Sequence, residues 1–215
     1  MISNLLKKDF VLSAHPTLYM FMIIGALVLV PAYPYGMVFF FGCLGLYFST
    51  LNGRENNDIF YSAILPLDKK DIIKGKCLFF ITFELIQILI TTLIAFIKIS
   101  FIDSPNNDVG IECNIAFFGF GFIIYSIFNY IFLTKIYKSS YKIGIPFVIF
   151  LIFVVLAIIL MELISHIPYF SWIDGIAFSD LQKQIPILII GFILFIFINI
   201  LTYKKATQNF EKVDL

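Results

Sequence analysis

The sequence predicts an all-α, polytopic membrane protein with six transmembrane helices, both termini in the cytoplasm, and a short cytoplasmic helix between the second and third spans. Three observations predict it. Of 215 residues, 60% are hydrophobic and 13% charged, with a mean hydropathy of +0.98. A soluble domain runs at roughly 45–50% apolar and about 25% charged, so this chain carries more apolar surface than a water-soluble fold of its size can hide. The apolar residues also fall into separate long runs, and the cations gather at every second junction between those runs.

A transmembrane helix needs roughly 20 residues to cross about 30 Å of hydrocarbon, because its backbone polar groups must be paired within the helix. Residues 77–97, 115–133, 145–165 and 185–203 meet that length. Residues 17–31 and 35–51 are shorter, and Pro31-Ala32-Tyr33-Pro34 divides them into a hairpin. Ahead of them, residues 3–14 place Leu5, Leu6, Phe10 and Val11 opposite Lys7, Lys8 and Asp9. That pattern predicts a helix on the inner membrane surface or an extension of the first span, and Pro16 favours a break between the two. Lys7 and Lys8 before an apolar run are signal-peptide-like, but Pro16 interrupts the run and no cleavage site follows cleanly, so the segment is expected to be retained.

Lys7 and Lys8 precede the first span; Arg54, Lys69, Lys70, Lys74 and Lys76 lie between the second and third; Lys135, Lys138 and Lys142 lie between the fourth and fifth; Lys204, Lys205 and Lys212 follow the sixth. Cytoplasmic loops retain Lys and Arg during insertion, so this asymmetry places both termini and those loops inside. The outer side holds Asp103, Asp108, Glu112, Asp174 and Asp180, with Lys98 and Lys183 as its cations and Tyr169, Phe170 and Trp172 suited to the interface.

Catalytic chemistry finds no support. A net charge of +1 offers no basic excess for nucleic acid. Cys43, Cys77 and Cys113 have no metal-site spacing, and His15 and His166 fall near opposite membrane faces, so no metal site is expected. Gly75-Lys76 is followed by Cys77 rather than Ser or Thr and lacks the upstream glycine of a Walker A loop, so no nucleotide is bound by that route. No cofactor is expected on this chain. Polar groups inside the spans are more informative, since burying an ionisable one costs a few kcal/mol and marks a partner or a water-filled path. Glu84, Gln87, Asn129 and Glu162 are the candidates for a translocation path, with Asn199 as a further polar residue. The competing reading is interhelical hydrogen bonding alone. Gly42, Gly45, Gly119 and Gly121 permit close helix approach without forming GxxxG.

The inner connection, residues 55–75, carries its own helix signals. Asn57 or Asp58 can cap a short helix, Pro66 stops it, and Asp68 can cap the helix that enters the third span. Phe60, Tyr61 and Ile64 have little apolar cover there and require some other surface.

This loop resembles that of ABC-2 type permeases, in particular the small bacterial six-span subfamily. The resemblance runs through Asn57-Asp58, Leu65-Pro66, Lys69-Lys70, Asp71-Ile72-Ile73 and Lys76, and through the opening Leu5-Leu6-Lys7-Lys8-Asp9-Phe10. Cys77 stands where an aromatic residue often follows the lysine, and Arg54-Glu55 replaces a commoner Asp-Glu pair. The resemblance implies a membrane subunit of an ABC exporter in the bacterial cytoplasmic membrane. It would pair with a second permease subunit, identical or sister, and with two copies of an ATPase that hold ATP and Mg. A coupling helix over about residues 56–65 would seat in the ATPase through Asn57, Asp58, Ile59, Phe60, Tyr61, Ile64, Leu65 and Pro66, with Lys69 and Lys70 at the rim. Its implied substrate is hydrophobic or amphipathic, as for the cytolytic or antimicrobial peptides of phenol-soluble modulin exporters, which the chain resembles. Short outer loops and Phe-rich spans agree with an apolar cargo. The alternatives are the substrate-binding membrane subunit of an energy-coupling-factor importer and a non-transporting immunity or accessory protein.

Overall fold

The computed structural model describes residues 2–101, 107, 109–139 and 142–213. Asp103 and Asp108 lie outside the described residues. All regular elements among the described residues are helical.

Helix α1, Ile2–Leu12, is followed at Pro16 by a sharp turn, so that it stands at 98° to the helical segment 16–29. Leu5 is buried, and Leu6 and Phe10 pack partly buried against the core, as the apolar spacing predicts. Leu5, Asp9 and Ser13 point inward at four-residue spacing, while Val11 is 79% exposed. Asp9 turns inward beside them because it meets the Lys76 ammonium at 2.8 Å.

Helix α2, Pro16–Ile23, starts with proline in the position where its missing N–H costs nothing, and the His15 ring accepts the Thr17 N–H at 3.2 Å as a cap. The chain then tightens into a 3₁₀ helix, Ile24–Leu29, which rises more per residue than an α-helix. Residues 16–29 thereby reach about 24 Å, close to the thickness of the hydrocarbon layer. Helix α3, Met37–Glu55, returns antiparallel to them and carries Asn52, Arg54 and Glu55 in its last turn.

A short helix α4, Asp58–Ile64, leads into α5, Lys69–Phe101. Helices α6, Ile115–Lys138, and α7, Gly144–Ser165, follow. A 3₁₀ turn at Pro168–Phe170 and the one-turn α8, Ser171–Asp174, connect to α9, Phe178–Glu211. Among the described residues, α5, α6, α7 and α9 are the four helices long and apolar enough to cross a bilayer on their own. Two of them are much longer than the apolar runs expected at 77–97 and 185–203, because polar turns extend the helix beyond the apolar window. At 33 residues α5 is about 50 Å long, so it projects well past the hydrocarbon.

Helix α6 forms the centre of the packing. Phe128 and Phe132 of α6 stack with Phe80 of α5, and Phe150 of α7 meets Phe128 edge-on with ring centres 4.8 Å apart. Helix α7 buries a single stripe through Phe150, Val154, Ile158 and Met161 and presents the rest of its apolar surface outward, as a lipid-facing helix does. The most extensive pair is α6 with α9, made possible where Gly191 lies against the Gly119 carbonyl and a Cβ at either position would overlap the other backbone. The glycines of α6 are therefore used within the chain. Gly191→Ala is expected to cost roughly 1–3 kcal/mol, as overpacking does, read as a lowered midpoint of thermal unfolding in detergent.

Candidate functional site

The turn between α3 and α4 is set by Asn57, whose φ of 51° places it in the left-handed region that asparagine tolerates. That turn fixes which side of α4 faces the protein. Asp58, Ile59 and Ser62 point inward and are buried; Phe60, Tyr61 and Ile64 are 60%, 53% and 69% exposed, and Leu65 and Pro66 continue the exposed surface. The outward face is therefore apolar and uncovered at the end of the molecule that carries most of the cations. Between α1 and α4 a cleft of about 340 Å³ opens beside Tyr61, Leu65 and Pro66.

The inward face is held by charge. Lys76, on the second turn of α5 and 4% exposed, reaches the Asp9 carboxylate at 2.8 Å, donates to Ser13 Oγ at 2.8 Å and is paired with Asp58. Ser13 donates to Asp58 Oδ2 at 2.7 Å, Lys8 pairs with Asp9 at 3.0 Å, and Lys8 also donates to Ser62 Oγ at 2.6 Å. Two cations and two anions thus neutralise one another in a nearly water-free pocket, tying α1, α4 and the base of α5 together. Outside it, Lys69 donates to the Val213 carbonyl at 2.7 Å and Lys70 pairs with Asp68 at 2.9 Å.

Burial alone would raise the Asp58 carboxyl, but the Lys76 charge and the hydrogen bonds from Lys76 and Ser13 hold it below the usual carboxylate range. A depressed acid contributes stability that is fully present above its unfolded value, about 3.9, and is lost as pH falls through the lower folded value. The stability difference between wild type and Asp58→Asn is therefore expected to stay constant from about pH 8 to pH 5 and to shrink only below about pH 4. Thermal melts of both proteins across that range check it.

A second polar group lies in the middle of the spans. Glu84 and Asn129 are fully buried; Asn129 Nδ2 donates to Glu84 Oε2 at 2.9 Å and to Asn199 Oδ1 at 3.0 Å, joining α5, α6 and α9. Glu84 Oε1 and Asn129 Oδ1 are buried acceptors without a hydrogen-bond partner. One turn further along α5, Gln87 makes a separate set. Its amide donates to the carbonyls of Phe21 and Val38 at 3.1 and 3.0 Å, and its oxygen accepts from the Tyr125 hydroxyl at 2.6 Å. Gln87 thus pairs backbone groups where the first hairpin packs on α5. The Phe21 carbonyl lies only three residues before the start of the 3₁₀ stretch.

At the opposite end from α4, the connections are stitched shut. Glu162 accepts the Gly36 and Ile111 N–H groups at 2.7 and 2.8 Å, Lys98 bonds to Tyr35 and Glu112 at 2.7 and 3.2 Å, and Asp174 accepts the Glu112 N–H at 2.6 Å. Gln184 donates to the carbonyls of Trp172 and Gly175 at 2.8 Å each, fixing α8 against α9. His166 meets the Val109 carbonyl at 3.2 Å, and the three cysteines are buried and free.

The sequence model of the family described as ABC-2 family transporter protein matches residues 4–211 of the chain. The chain belongs to that family. No curated protein and no solved structure matches it. It is accordingly an ABC-2 family transporter protein of the membrane, with several helices long enough to cross.

Within this ABC-2 transporter, the predicted path residues do not form one set. Glu84 and Asn129 touch, Gln87 bonds elsewhere, and Glu162 closes the far end. Of the predicted coupling residues, Asn57, Phe60, Tyr61, Ile64, Leu65, Pro66 and Lys70 are exposed and Lys69 is partly so, whereas Asp58 and Ile59 face inward. The sequence did not reveal that Asp9, Ser13 and Lys76 meet Asp58 in one ionic set. One signal was available in the spacing: Asp9 lies four residues from Leu5 and from Ser13, on one helix face.

Proposed function

We propose that this chain is the membrane-spanning permease subunit of a bacterial ABC exporter, driven by a separate ATPase that docks on α4. The observation that carries the reading is the two-sided character of α4. One side, Phe60, Tyr61, Ile64 and Leu65, is apolar and open to solvent, and the other is bolted by Asp58 and Ser62 to α1 and α5. A helix so built receives force on one face and delivers it through the other. With α4 inside, the positive-inside rule gives six crossings, counting residues 16–29 and α3 as the first two, and puts both termini in the cytoplasm.

In this reading two ATPases, holding ATP and Mg, close on two permease subunits, identical or sister. Asn57, Pro66, Lys69 and Lys70 border each contact. Displacement of α4 passes through Asp58 to Lys76 and so to α5, and through Lys76 and Lys8 to α1. Movement of α5 relative to α6 and α9 opens the Glu84–Asn129–Asn199 group, the polar point along an otherwise apolar path for a hydrophobic or amphipathic cargo such as a membrane-active peptide.

Isolation of the chain with its genomic neighbours co-expressed tests the reading. A complex containing an ATPase supports it, and tight one-to-one binding of a vitamin by the isolated chain would replace it with an importer subunit. Glu84→Gln is expected to reduce export several-fold in loaded vesicles while leaving assembly intact, since the amide keeps the shape of the side chain but cannot ionise. Unchanged export removes Glu84 from the path.

A further inference from the structure

The face between α5 and α9 holds a groove of about 330 Å³ that none of the described residues fills. Leu78, Ile81 and Leu85 form one wall and Phe192, Ile196 and Ile200 the other, with Lys74 and Tyr203 at its cytoplasmic end. From Lys74 to Leu85 the groove follows α5 for about 16 Å, and from Tyr203 to Phe192 it follows α9 for the same length. That is about half of a 30 Å hydrocarbon layer, the depth of one leaflet.

The mouth of this groove is basic. Ile196, Ile200 and Lys204 share one row of α9 at four-residue spacing, so Lys204 stands one turn beyond the groove wall, on the side of Lys74. Both lysines are exposed, and neither has an ion-pair or hydrogen-bond partner among the described residues. On α5 this sets Lys74 apart: Lys69 is engaged with Val213, Lys70 with Asp68, Lys76 with Asp9 and Asp58, and Lys98 with Tyr35 and Glu112. Basic pockets between transmembrane helices at the cytoplasmic face bind anionic lipid headgroups.

We propose that the α5–α9 groove is a binding site for an anionic phospholipid of the inner leaflet, its phosphate between Lys74 and Lys204 and one acyl chain along Leu78, Ile81 and Ile200. Tyr203 lies at the headgroup level, where its ring is half in and half out of the apolar layer. The site sits against Asn199 and hence one hydrogen bond from the Glu84–Asn129 pair, so an occupied groove holds α5 and α9 in their present relation. The inference takes its leaflet from the orientation proposed above.

The transporter complex is reconstituted in nanodiscs of equal phosphatidylglycerol and phosphatidylcholine, and the lipid retained after extraction is measured by native mass spectrometry. Enrichment of phosphatidylglycerol is expected, falling by roughly tenfold to thirtyfold in Lys74→Ala/Lys204→Ala, since each cation near an anionic headgroup is worth about 1 kcal/mol. Leu78→Trp, which fills the groove without touching the lysines, is expected to abolish retention of either lipid there. Equal retention of the two lipids by wild type, or enrichment unchanged in the double-alanine variant, overturns the proposal. Loss of permease pairing in Leu78→Trp overturns it in favour of a second copy as occupant. Because nanodiscs expose both leaflets and need no ATP turnover, a negative result leaves the exporter reading standing, and outward labelling of α4 would move the lipid to the other leaflet without removing it.

Discussion

Lys76→Met is expected to destabilise the protein by about 3–5 kcal/mol, the usual cost of leaving a buried charge unpaired. Asp9 and Asp58 are at most 1% exposed and would lose the ammonium that neutralises both. Lys8 compensates only one of them, pairing with Asp9. Methionine matches the lysine stem in length, so lost packing contributes little and the charge decides the outcome. Unfolding midpoints of Lys76→Met and of the control Asp58→Asn/Lys76→Met, which removes both charges of the pair, measure this. The double variant, which leaves Asp9 to Lys8, is expected to recover part of the loss. Equal destabilisation in single and double variants would mean that Asp58 and Lys76 do not act as a pair.

Phe60→Ala/Ile64→Ala is expected to weaken ATPase association by more than about thirtyfold, since buried aromatic and aliphatic anchors at an interface each contribute about 2 kcal/mol or more. The same change should leave the permease as stable as wild type, because both side chains are more than half exposed and give up little burial on truncation. This pairing of results separates a contact surface from a core. Loss of both binding and fold would indicate that α4 is a structural element alone. Quantitative pull-down of the ATPase, with the unfolding midpoint of each permease alongside, reads both.

Much of this architecture was legible in the chain because a bilayer imposes a coarse rule. Four of the expected spans coincide with long helices, since twenty apolar residues have few other uses. The first hairpin was harder. Residues 17–31 appeared short for a crossing, and the 3₁₀ stretch at Ile24–Leu29 that lengthens them has no simple composition signal. Helix ends also escaped: α5 and α9 run far past their apolar windows, because Lys and Gln continue a helix as readily as Leu does. In α1, Leu5, Leu6 and Phe10 pack inward as their periodicity predicted, but Asp9 turns inward with them and Val11 is left exposed. Hydrophobic pattern ranks residues by transfer energy, and an ionic set spread over 67 residues of sequence, from Asp9 to Lys76, is invisible to it. The residues of α4 were singled out by resemblance, yet their division into an outward set at Phe60, Tyr61 and Ile64 and an inward set at Asp58, Ile59 and Ser62 needed the turn at Asn57. Glu84, Gln87, Asn129 and Asn199 stood out in the sequence, whereas Gln184, Thr91 and Ser126 did not, and the partners of all of them depend on how the helices meet. Glu84 could have faced any neighbour, and only packing brings it to Asn129 rather than to Gln87's partners.

The account stands on force entering through α4 from a separate ATPase. Site-specific photocrosslinking from position 61 in intact cells tests this most directly, because the Tyr61 side chain is exposed beside the cleft between α1 and α4. The predicted result is a single adduct whose second component is an ABC ATPase subunit, weakened by the Phe60→Ala/Ile64→Ala change. A crosslink to an extracellular component, or none to any ATPase while export continues, would contradict it.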